Sequence, residues 1–109
     1  MSDITITTTD GLDGQNVTEY LGVVAGEAVI GANVISDLAA GIRDVVGGRS
    51  GSYEKKIKAG RTEAINDATA EAEALGADAI VGASFDYEEM GEGMLWVNIS
   101  GTAVRTTRE

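Results

Sequence analysis

Small residues set the limits on this chain. Glycine fills 15 of its 109 positions and proline none, against average usage of about 7% and 5%. The aromatic residues are Tyr20, Tyr53, Phe85, Tyr87 and Trp96. A monomer of this length buries a modest core at best. With so few large side chains, subunit contacts are expected to complete it.

The apolar pattern orders the chain. Ile4-Thr5-Ile6-Thr7 alternates apolar with polar and is β-branched, so it reads as a short strand. Asp10-Gly11-Leu12-Asp13-Gly14 carries turn chemistry. A long β-prone run, 17–35, would place Tyr20, Val24, Ala28, Ile30 and Val34 on one face. Gly22, Gly26 and Gly31 mark bends or close approach within it. Ser36-Asp37 offers an N-cap to a short helix with Leu38, Ala39, Ile42, Val45 and Val46 at helical spacing, ended by Gly47-Gly48.

The longest helix is expected from Ser50-Gly51-Ser52 to Leu75, where either serine caps and Gly76 is a natural C′ residue. Its apolar stripe is Tyr53, Ile57, Ala64, Ala68 and Leu75, widened by Ile65 and Ala72. A stripe dominated by alanine lets a helix sit close to its sheet. A strand from Ala77 to Tyr87 would put Ala79, Val81, Ala83 and Phe85 on one face. Glu88-Glu89-Met90-Gly91-Glu92-Gly93 then makes a hairpin loop. In the last strand Leu95, Val97 and Ile99 share one face, and Met94, Trp96, Asn98 and Ser100 the other.

The order is therefore β, long bent β, short α, long α and β-hairpin, an α+β class in one domain. One sheet with helices on one side leaves its other side needing cover. Trp96 and Met94 fall on that side, so a subunit interface is predicted there.

Charge and chemistry narrow the function. The 18 acidic and 8 basic residues give a formal net charge of −10. That balance disfavours nucleic acid and anionic membrane surfaces as partners. With Lys55, Lys56 and Lys58 the only lysines, it suits a halophilic cytosol, where salt screens self-repulsion; the alternative is an ordinary acidic cytosolic protein. The chain lacks the basic and apolar regions of a signal peptide after Met1, so a cytoplasmic location is expected. Cysteine and histidine are both absent. Thiol nucleophiles, imidazole bases and metal sites of thiolate or imidazole are thereby excluded. No spacing supports an enzyme, and none is expected.

Three places are candidates for binding. The first is Gly47, Gly48, Arg49, Ser50, Ser52, Tyr53 and Glu54. There a glycine-rich turn leads into a helix N-terminus, whose free N–H groups and dipole favour an anion. Arg49 would add a forked donor. The ending of a Walker A loop is missing. The plainer alternative is a turn with a serine cap and an Arg49 ion pair to a neighbouring subunit. The second is the acidic set Asp86, Glu88, Glu89 and Glu92, which suits a hard cation; the alternative is a solvated hairpin tip. The third is Glu27, an acid in an apolar strand, which either is buried or reaches the sheet edge.

Four ordered blocks carry a resemblance. They are Tyr20-Leu21-Gly22-Val23-Val24-Ala25-Gly26-Glu27-Ala28-Val29; the stretch from Ala40 through Gly47-Gly48-Arg49-Ser50-Gly51-Ser52-Tyr53-Glu54; Leu75-Gly76-Ala77-Asp78-Ala79-Ile80-Val81-Gly82; and Ser100-Gly101-Thr102-Ala103-Val104. Together they resemble the YbjQ-like family from about Thr18 to Val104. The resemblance implies a dodecin-like subunit, a sheet wrapped round a helix, assembled as a homopentameric ring. It also brings a label of heavy-metal binding, which the missing thiolates and imidazoles do not support. The function expected is a small acidic homo-oligomer that binds a polar or anionic ligand at the loop 47–54 between subunits. The alternatives are a structural or stress-related assembly, and a metal binder acting through carboxylates. The sequence names no cofactor.

Overall fold

The computed structural model describes residues 4–30, 51–90 and 94–109. Its elements are β1 (Thr5–Ile6), β2 (Gln15–Ile30), α1 (Gly51–Ala74), β3 (Ala79–Glu89) and β4 (Leu95–Arg108). The expected short helix after Ser36-Asp37, and the run 31–35 with Gly31 and Val34, lie outside the described residues.

The strands form one mixed α+β sheet in the order β1-β3-β4-β2. β1 pairs in parallel with β3, whereas β3–β4 and β4–β2 are antiparallel. The long run reads as a strand because β-branched and aromatic residues dominate it. Its bends occur as register shifts between Val17 and Glu19 and between Tyr20 and Gly22. The second of these shifts corrects the predicted face. Val24, Ala28 and Ile30 are buried under the helix, but Tyr20 pairs with Val104 on the opposite side and is 75% exposed.

A similar correction applies to β3. Val81 pairs with Thr102 and Ser84 with Ser100, so β3 carries one extra residue there. Gly82 sits in the bulge with φ of 61°, a left-handed conformation in which other residues are strained. The extra residue changes the phase of alternation. Ile80, Ala83 and Phe85 pack on the helix side, while Ala79 and Val81 pack on the other. The predicted single face of Ala79, Val81, Ala83 and Phe85 is thus divided.

Helix α1 lies mainly over β2, less over β4 and little over β3. Gly60, Ala64, Ala68 and Ala72 form a line with a spacing of four, and all are buried. This line faces Gly26 of β2. A Cβ on Gly26 would fall on the Ala64 carbonyl oxygen and 2.6 Å from the Ala68 nitrogen. Alanine on the helix and glycine on the strand therefore let the two backbones nearly touch, as the alanine stripe predicts. Leu75, placed in that stripe, is instead 43% exposed, because the helix has already ended. The Gly76 N–H donates to the Glu73 carbonyl at 2.9 Å, and the Ala77 N–H to that of Ala72 at 3.1 Å. This is a Schellman cap, with Gly76 at φ of 79°.

The sheet has two unequal cores. In front, Val24, Ile80, Val97, Ile99 and Ala103 join the three alanines. Behind, Ala79, Val81 and Val104 form a smaller cluster, covered at one end by Leu12 and Val17. Asp78 secures that end, where its carboxylate accepts the Thr106 N–H at 2.9 Å and its own N–H donates to Val104 at 2.8 Å.

Candidate functional site

The first predicted site falls largely outside what the structure describes. Gly47, Gly48, Arg49 and Ser50 are outside the described residues. Ser52, Tyr53 and Glu54 belong to the first turn of α1, but their side chains lie outside them too.

The acidic set does not converge. Asp86, Glu88 and Glu89 are consecutive or alternate positions of β3, so Glu89 points to the face opposite Asp86 and Glu88. Glu92 lies outside the described residues. Among the described residues no group of three acids or other donors is placed to hold a metal ion. Met90 and Met94 close the hairpin neck, with the Met90 N–H donating to the Met94 carbonyl at 2.8 Å. Two thioethers alone fall short of the three or four ligands usual for a transition-metal site.

Glu27 is exposed rather than buried. Its N–H, on the outer edge of β2, donates to the Asp67 carboxylate of α1 at 3.1 Å. The helix thus protects one point of an edge strand.

Two features stand out beyond those expectations. The first is the back of the sheet. Register places Val29 beside Trp96 and Val23 beside Thr102 on that face. Val23 is 77% exposed, Val29 50% and Met94 37%, with Trp96 partly buried. The charged groups at its margins are Glu27, Asp86 and Glu88, from the same alternation. Asn98, in the middle of this face, is buried and donates to the Gly26 carbonyl at 3.3 Å.

The second is Arg61 on the front. Its guanidinium carbon lies 5.8 Å from the centroid of the Phe85 ring, within cation–π reach. Phe85 in turn lies beside Tyr87, their rings 6.4 Å apart and 18° from parallel. The Arg61 Nε is buried and has no hydrogen-bond partner. A buried donor left unpaired costs about 1–3 kcal/mol. Among the described residues no carboxylate pairs with Arg61, whereas Arg105 meets Glu19 at 3.6 Å in an exposed pair. Sequence reasoning missed Arg61. The available signal was spacing, since Arg61 falls midway between Ile57 and Ile65 on the apolar stripe.

A shallow groove of about 370 Å³ runs along Thr5, Ile6, Thr7, Thr9, Gly11, Leu12 and Asp13. The Thr7 and Thr9 hydroxyls are 2.7 Å apart, and the Thr9 hydroxyl donates to the Gly11 carbonyl at 2.6 Å. These hydroxyls brace the turn. Among the described residues no helix is long and apolar enough to cross a membrane.

A family model described as "Putative heavy-metal-binding" matches residues 4–107. The chain belongs to that family. A similar solved structure is a protein of unknown function from Pediococcus pentosaceus ATCC 25745, assigned to the DUF74 family. The two share 18% sequence identity, with 97% of this chain and 100% of that one covered and a TM-score of 0.61. This likeness establishes the fold. The family's description meets a donor set without cysteine or histidine. Soft metals favour thiolates, and imidazole is the usual borderline ligand, so the residues present do not fit such a metal.

Proposed function

We propose that this chain works as a homo-oligomer whose subunits meet across the open back of the sheet, and that it binds rather than catalyses. The observation that carries this reading is the set of exposed apolar residues on that face, Tyr20, Val23, Val29 and Met94, beside the partly buried Trp96. Exposed apolar side chains gathered on one face mark interaction sites. Burying a side chain of the size of Val or Met contributes about 1.5–3 kcal/mol, and no described element supplies that cover. The face is flanked by Glu27, Asp86 and Glu88, and Lys55, Lys56, Lys58 and Arg61 are gathered on α1. Unlike surfaces of this kind suit head-to-tail contacts, which close into rings. A dodecin-like ring of five copies follows from the resemblance of the sequence blocks.

The ligand proposed is a small polar or anionic molecule at residues 47–54, between subunits, in the cytoplasm. Its support is chemical: a glycine-rich turn, Arg49 and a helix start. Calorimetry of the wild type and Arg49→Ala against phosphate, nucleotides and acidic metabolites tests it. Binding that vanishes in the variant is expected; unchanged binding would overturn the site.

A further inference from the structure

We infer that Arg61 anchors an oxyanion, a carboxylate or phosphate group, on the helix side of the sheet. The inference stands on described residues and is independent of the loop 47–54. The Arg61 guanidinium carbon lies 5.8 Å from the centroid of the Phe85 ring. A guanidinium bonds through its in-plane N–H edge, whatever its contact with a ring. That edge includes Nε, which is buried and has no acceptor. In a chain with 18 carboxylate side chains, none of those described pairs with it. Nε together with one terminal nitrogen forms the side-on fork that matches two oxygens of a carboxylate or phosphate.

The surroundings favour an anion. Lys55, Lys56 and Lys58 are exposed on the turns before Arg61, so the N-terminal half of α1 is the most basic part of an otherwise acidic molecule. Tyr87 is 46% exposed next to Phe85, which gives the site an apolar wall open to solvent. The same chemistry has two sources, a free oxyanion or a carboxylate from a second copy of the chain.

Side-chain Nε–Hε resonances of the arginines, followed during titration with sodium phosphate and with sodium acetate, test this directly. Native mass is measured alongside, on the wild type, Arg61→Gln and Arg61→Lys. For a free oxyanion, the Arg61 signal shifts saturably, and Arg61→Lys, lacking the fork, weakens phosphate binding about tenfold, one charge-assisted hydrogen bond. For a neighbouring carboxylate, the signal is already bonded and salt leaves it unmoved. Arg61→Gln then lowers the number of subunits while helical circular dichroism is kept. A signal that neither moves nor is bonded, with the subunit number unchanged in both variants, overturns the inference. A monomeric wild type would refute the assembly proposed above yet leave the phosphate titration decisive for Arg61.

Discussion

On the front of the sheet, α1 presses a line of glycine and alanine onto β2 and β4. On the back, the same strands present Val23, Val29, Met94 and Trp96, and the Leu12 turn covers only one end. The front achieves close packing by removing side chains, so that backbone meets backbone at Gly26. The back leaves several apolar groups, Val23, Val29 and Met94 among them, in water. The difference teaches that size alone does not decide which residues form the core of one chain. On the front, glycine and alanine are inside because they permit contact; on the back, Val23 and Val29 are exposed because no described element covers them.

Deleting front-face volume should have the largest effect. Ile99 is 1% exposed in the front cluster. Ile99→Ala should cost about 2–5 kcal/mol, read from the midpoint of urea unfolding. A smaller loss would mean that the front is looser than its packing indicates. Gly26→Ala comes next. Its methyl group would collide with backbone atoms of α1, which cannot rotate away, and overpacking of this kind costs about 1–3 kcal/mol. Gly82→Ala should cost about 1–2 kcal/mol, because the left-handed φ of 61° is strained for alanine while the space around it is open. Its thermal midpoint should fall less than that of Gly26→Ala. The smallest effect belongs to the back. Val23→Thr should alter the stability of the isolated chain by no more than about 0.5 kcal/mol, while weakening assembly measured by light scattering.

Much of this contrast was legible in the sequence. The alanine spacing of α1 announced a close helix, and the alternation of β4 separated Val97 and Ile99 from Trp96 and Asn98. Gly76 marked the helix end, although Leu75 lay beyond the cap rather than within the stripe. What alternation could not show was a change of phase. One extra residue at Gly82 moved Ala79 and Val81 to the back, and the shift between Tyr20 and Gly22 moved Tyr20 out of the core. Bulges depend on pairing with another strand, and pattern along one strand does not contain that partner. The candidate site was less legible. The acids of the hairpin looked like a cluster along the chain, but the pleat sends Glu89 away from Glu88. Arg61 was not singled out at all, because its contact with Phe85 exists only once helix and sheet are packed together.

The central claim is that the apolar back of the sheet is a subunit interface. Native mass spectrometry in ammonium acetate tests it most directly, on the wild type and on Trp96→Ser. The account predicts a wild-type mass that is a multiple of 11.2 kDa, and fewer subunits for Trp96→Ser. A wild type at the mass of one chain across micromolar concentrations, or an assembly that Trp96→Ser leaves intact, would contradict it.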